Sequence, residues 1–195
     1  MTLLAELSAG EMDRDRGAVE RLSWGFLGSK MKCSNCLQES ETDGAVSNCI
    51  SLELPHTPNA SINDCLGLFL KEEVIPLEQK WQCTKCNQVA EGKKELRLEV
   101  TPELLILHLK RFKNVAGYWT KDSRNIDIPG TINLFDLEFS LVAVVEHSGS
   151  FDSGHYTAFV KMNNQWFSCN DNEVEEVSCS KFVGGSAYLV FYRQK

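Results

Sequence analysis

The sequence predicts an α+β fold, a β-rich body in the C-terminal half preceded by a metal-clipped extension. Two observations carry this. From "KKELRLEV" onward the chain reads as strand after strand, separated by turn signals and with little helical period between them. Before that point stand two CxxC pairs, Cys33/Cys36 and Cys83/Cys86, separated by 46 residues.

Residues 1–24 read as an amphipathic helix, with Leu3, Leu4 and Leu7 on one patch and Met12, Val19 and Leu22 continuing it. "WGFLGSKMKCSNC" is a strand with a glycine break that runs into the first CxxC. In "AVSNCISLELP", Ile50, Leu52 and Leu54 alternate in the strand period, and Pro55 and Pro58 end it. "SINDCLGLFLKEE" is a helix capped by Ser61, with Asp64 three residues on and an apolar face of Ile62, Cys65, Leu66 and Phe69. After the second CxxC come "KKELRLEV", the buried strand "PELLILHLKRF", and then "FSLVAVVEH", "HYTAFVKM", "QWFSC" and "AYLVFYR". "NVAG", "IPGT", "HSGSFDSG", "MNNQ" and "GGS" are the turns between them. The cluster "HLKRFK" reads as a strand end near solvent.

Bulk properties exclude several classes. With 195 residues, 43% hydrophobic and 24% charged, the chain can build one domain, with or without a small appendage, and is too mixed for disorder. A net charge of −7 argues against nucleic acid as a partner. No apolar run approaches the roughly 20 residues that span a membrane. The N-terminus lacks the basic and apolar regions of a secretory signal, so the eight cysteines belong in a reducing compartment, cytoplasmic and/or nuclear. There, four thiolates from two tight knuckles suit tetrahedral zinc at Cys33, Cys36, Cys83 and Cys86. A shell closed by four thiolates leaves no open position, so the expected zinc is structural.

The chemistry concentrates in "SGHYTAFVKMNNQWFSCNDNEV". A hairpin through "MNNQ" folds Asn170 back alongside His155, where an amide can accept from one imidazole nitrogen and leave the other as a base. The same hairpin places Trp166 near the interior. His108 reads as a packed strand residue and His56 as exposed.

These motifs resemble the ubiquitin-specific proteases, papain-like cysteine peptidases that cleave ubiquitin from proteins. The resemblance rests on "SGHYTAFVK", "WFSCNDNEV", "AYLVFYR", "PELLILHLKRF", "KWQCTKC", "FLGSKMKCSNC" and the "SINDCLGLFLKEE" helix, and covers residues 25–195. It implies a papain-like fold with zinc-clipped fingers over about residues 30–95 and a β-rich palm over about 96–195, after an N-terminal remnant at 1–24. It also implies that His155 is the catalytic base, that Asn170 orients it, that Asp171 is a supporting acid, and that His147 lines the cleft. The implied partners are ubiquitin or a ubiquitin-like modifier and its conjugates, with no role for nucleic acid or membrane.

One departure accompanies the match. The family's cysteine box, a "GNTCYxNSxLQ"-like segment of the thumb, belongs far upstream of the first CxxC, and the 32 residues before Cys33 contain no cysteine. None of the eight cysteines sits in such a box. The base is expected here without its nucleophile and with most of the thumb absent. Three readings stay open: a deubiquitinase portion completed by a cysteine box, a ubiquitin-binding module without catalysis, and a zinc-stabilised interaction domain.

Overall fold

The computed structural model describes residues 22–178 and 186–195. The expected N-terminal helix therefore falls outside the described residues up to residue 21, as do Cys179 and most of the "GGS" turn. The elements open with β1 (Gly25–Cys33), β2 (Glu39–Ser47), β3 (Ile50–Leu52), α1 (Ile62–Phe69), β4 (Glu73–Ile75) and β5 (Gly92–Val100). Then come β6 (Leu104–Leu109), β7 (Phe112–Val115), β8 (Tyr118–Lys121), β9 (Thr131–Leu134) and β10 (Leu137–Gly149). The last four are β11 (Gly154–Met162), β12 (Gln165–Asn170), β13 (Glu173–Val177) and β14 (Ala187–Gln194). The chain divides into two compact units, one ending at Asn48 and resuming over Leu70–Pro102, the other made of Cys49–Phe69 and Glu103–Lys195.

The first unit is an antiparallel sheet in the order β2-β1-β5-β4. The expected glycine break in β1 is a register shift between Leu27 and Ser29, around Gly28. The ribbon has little apolar surface to bury, and cross-strand charges flank it instead. Lys30 pairs with Glu39 at 2.6 Å, Lys94 with Glu73 at 3.6 Å, and Arg97 with Glu41. Such exposed pairs stabilise by about 0–1 kcal/mol each, so the ladder needs another clamp. The two cysteine knuckles at its end provide one.

The second unit is a sheet in the order β13-β12-β11-β10-β14-β6-β3, with β9 on β10 and β3 parallel to β6. Ile50, Leu52 and Leu54 are buried, while Ser51 and Glu53 are exposed, as their alternation predicts. α1 follows its sequence signals: Ser61 N–H donates to Asp64 Oδ2 at 2.8 Å, and Asp64 N–H to Ser61 Oγ at 3.2 Å. Its face of Ile62, Cys65 and Leu66 is buried. The helix ends at Phe69, and the "KEE" that follows leads into β4.

One expectation is corrected here. Arg111, at the centre of "HLKRFK", is fully buried rather than near solvent. Three backbone carbonyls hold its guanidinium: Nε donates to Ala187 O at 2.5 Å, and Nη1 to Asp122 O at 2.9 Å and Arg124 O at 2.8 Å. Lys110 beside it does reach solvent, pairing with Glu53 at 2.9 Å. Local charge density could not separate the two, because burial depends on β14 and the 122–124 loop closing over one of them. Trp166 is half-buried rather than interior.

Candidate active site

The site's centre is built by strand alternation and one tight turn. β11 and β12 form a hairpin through Asn163 and Asn164, both left-handed with φ of 51° and 66°. Asparagine tolerates that conformation better than any other residue with a side chain except aspartate. The register pairs Ala158 with Cys169. His155 and Thr157 lie on the face opposite Ala158, and Asn170, one step past Cys169, comes up on the same face. The structure brings His155 and Asn170 together, with Nε2 2.6 Å from Oδ1. An amide oxygen only accepts, so Nε2 carries the proton and the neutral ring keeps its lone pair on Nδ1. His155 is exposed. Asp171 does not join this contact. It sits exposed at the turn into β13 with φ of 51°, and among the described residues its carboxylate makes no side-chain hydrogen bond or ion pair.

His147 lies on the opposite face of the sheet, paired in register with Tyr156. It is only 3% exposed, and Nδ1 finds no hydrogen-bond partner among the described residues. The rings of Tyr156, Phe112 and Tyr188 surround it at 4.7, 5.5 and 5.8 Å. Burial, and then the charge of Lys121, hold its pKa below the usual histidine range. Gly154 is required beside His147, because a Cβ there would run into its ring and the Ser148 carbonyl. Of the two histidines, His155 is therefore the one open to solvent, and His147 is packed among aromatic rings.

Beside these rings, Phe151 stacks flat on Trp119 with ring centres 4.3 Å apart. Phe112, Phe151, Tyr188, His108 and Lys110 line part of a cleft of about 530 Å³. His108 packs as expected, edge-on to Tyr188 at 4.8 Å and bonded through Nδ1 to Ser51 Oγ at 3.1 Å. Sequence reading did not find this aromatic lining, whose members come from separate segments. The signal was present in "AGYW" and "GSFDSG", where large aromatic residues stand inside turns and cannot all be core.

In the first unit the two knuckles repeat one design. Leu37 N–H donates to Cys33 O at 3.0 Å and Asn87 N–H to Cys83 O at 2.9 Å. Cys33 N–H reaches Gln38 O at 3.1 Å and Cys83 N–H reaches Gln88 O at 3.0 Å. Leu37 and Asn87 are both left-handed, at φ of 60° and 56°. All four Sγ atoms lie within 4.8 Å of one another, with Cys33–Cys86 at 4.0 Å and Cys36–Cys83 at 3.8 Å. Zn–S bonds of about 2.3 Å in a tetrahedron imply S···S edges of about 3.8 Å, so the donor set fits that ion. The N–H groups of Cys86 and Lys85 favour the thiolate of Cys83, while burial and the neighbouring sulfurs push the Cys36 thiol the other way.

Comparison with known proteins gives a consistent answer. The family model "Ubiquitin carboxyl-terminal hydrolase" matches residues 2–192. Ubiquitin carboxyl-terminal hydrolase 21 of Homo sapiens is 32% identical over 195 residues, covering 93% of this chain and 34% of that protein. Ubiquitin carboxyl-terminal hydrolase 12 of Saccharomyces cerevisiae is 34% identical over 149 residues, covering 68% of this chain and 12% of that protein. Among solved structures, a SAGA DUB module containing Ubp8 and bound to monoubiquitin matches with a TM-score of 0.82 at 29% identity. That match covers 91% of this chain and 42% of the other. The SAGA module bound to ubiquitin aldehyde matches with a TM-score of 0.81 at 26% identity, covering 95% and 44%. The chain thus spans less than half the length of each of these relatives.

Proposed function

The chain belongs to the ubiquitin carboxyl-terminal hydrolase family, and from that premise we propose that it supplies the base side of a thiol-dependent deubiquitinase. The observation that carries the proposal is the His155–Asn170 contact at 2.6 Å. Asn170 holds the imidazole in the tautomer whose Nδ1 can take a thiol proton. The thiolate would attack the isopeptide carbonyl after the C-terminal glycine of ubiquitin or a ubiquitin-like modifier. His155 would then protonate the leaving lysine amine, and water would release the modifier from the thioester. Ubiquitin as the bound modifier is supported by the structural neighbours, which are complexes with monoubiquitin and ubiquitin aldehyde.

The nucleophile in this reading belongs to a cysteine box that these 195 residues do not contain. Cys65 is buried on α1, and burial pushes its thiol up to about 11, away from the reactive form. Zinc held by Cys33, Cys36, Cys83 and Cys86 would brace the fingers and take no part in the chemistry, and free thiols suit a cytoplasmic or nuclear setting. The test is titration of the chain with ubiquitin, followed by NMR, beside a fluorogenic ubiquitin C-terminal amide. Binding at up to millimolar concentration without turnover is expected. No binding at that concentration would remove the reading, and binding that persists without turnover once a cysteine box is supplied would favour a ubiquitin-binding module instead.

A further inference from the structure

Among the described residues, the strand after Asn170 is an edge of the larger sheet with no strand on its outer side. We propose that it binds an extended basic segment of the protein that bears the modifier, a proposal that rests on the deubiquitinase reading above. β13 stands last in the sheet order, and among the described residues no strand pairs with its outer side. Alternate residues of an antiparallel strand turn their N–H and C=O groups to the partner, and the intervening ones turn theirs outward. Such an edge is a template for an added strand.

The side chains indicate which strand it would take. From Asp171 to Val177 the chain carries four carboxylates (Asp171, Glu173, Glu175 and Glu176) and no cation. All four residues are exposed. Only Glu176 has a side-chain partner among the described residues, the neutral amide of Gln165 at 3.0 Å. The contrast lies in the first unit, where Glu39, Glu41 and Glu73 are each matched by a lysine or arginine across the ladder. Val174, 63% exposed, adds an apolar foothold between the acids. The complementary ligand has an extended backbone, lysines or arginines to meet the carboxylates, and a small apolar residue to cover Val174.

Position links this edge to the reaction. Glu173 is the cross-strand partner of Asn170, and Glu175 that of Ser168. Pairing puts Glu173 on the face that carries His155 and Asn170, and alternation keeps Glu175 there. A segment laid along β13 therefore runs beside the catalytic pair. Modified lysines within basic, unfolded stretches would be the favoured targets. Like charges on an edge also discourage pairing between copies of the chain, and that role alone would leave a basic peptide unbound.

The test titrates the chain with a short alternating Lys/Val peptide and with its Glu/Val counterpart, followed by amide NMR at low and physiological salt. The comparison protein is the Glu173→Gln/Glu175→Gln/Glu176→Gln variant, which keeps every side-chain shape. Shifts centred on 173–177 are expected for the Lys/Val peptide alone. Affinity should fall about fivefold in the variant, since an alternating Lys/Val strand sets its lysines on the face of Glu173 and Glu175, and two exposed ion pairs at about two- to threefold each multiply to about that. Unchanged β11 and β12 amide shifts in the variant confirm that it is folded. No binding, binding centred elsewhere, or equal affinity for the variant overturns the proposal. Ubiquitin titrated into the unaltered chain reports on the deubiquitinase reading alone, so the two can fail separately.

Discussion

Replacing Arg111 tests how the larger sheet is held together. The Arg111 guanidinium is fully buried and donates to the carbonyls of Ala187, Asp122 and Arg124 at 2.5, 2.9 and 2.8 Å. Ala187 is in turn the cross-strand partner of Glu146, beside His147. Arg111→Met fills much of the same volume but leaves three buried acceptors without their donors, at about 1–3 kcal/mol each for an unsatisfied buried group. Removing a buried cation whose Nη2 has no partner among the described residues offsets part of this, so a net loss of about 3–5 kcal/mol is expected. With a urea m-value of about 2 kcal/mol/M, the midpoint should fall by about 2 M. The assay is urea unfolding followed by circular dichroism and by the β10 and β14 amide signals. Arg111→Lys should recover only a minority of the loss, because one ammonium cannot span three carbonyls. A midpoint shift under about 0.5 M for Arg111→Met would refute the reasoning, since that m-value makes it only about 1 kcal/mol.

Further outcomes follow from the two sites. Purified protein should carry one zinc by elemental analysis, and Cys83→Ser/Cys86→Ser should carry none. Because structural zinc contributes about 10–16 kcal/mol in peptides, chelation should raise hydrogen exchange across β1, β2 and β5. Nitrogen-15 spectra should show His155 as the Nε2–H tautomer, and Asn170→Ala should mix the tautomers while leaving the β11–β12 amides in place. His147 is buried with its pKa depressed below the 6.5 of an unperturbed ring. The unfolded chain therefore takes up its proton first, and stability should fall as pH drops from about 6.5 toward the folded value. His147→Phe should flatten that part of the pH profile of urea midpoints.

Much of this fold was legible where local chemistry decides conformation. The Ser61–Asp64 capping box, the Asn163–Asn164 turn, the two cysteine knuckles and the alternation of Ile50, Leu52 and Leu54 each depend on neighbours in sequence, and each formed as read. β2, with its run "ESETDGAVS", was not legible as a full strand, because its pairing with β1 holds it and no apolar period marks it. β13 was hidden for a similar reason, being an acidic edge without a core face. The burial of Arg111 and His147 depends on segments far away in sequence closing over them, which no local pattern records. In the site, the His155–Asn170 pair could be read because one hairpin joins its members. The aromatic cluster of Phe112, Tyr156 and Tyr188 around His147 spans three strands and emerged only in the fold.

Ubiquitin carrying a C-terminal electrophile tests the central claim most directly, that this chain holds the base of a deubiquitinase whose thiol lies in a cysteine box outside it. The account predicts no covalent adduct with the chain alone, and an adduct on the supplied cysteine when a thumb segment bearing a cysteine box is fused to it. That adduct should be lost in His155→Ala. Labelling of the unsupplemented chain on one of its own eight cysteines, dependent on His155, would contradict the account.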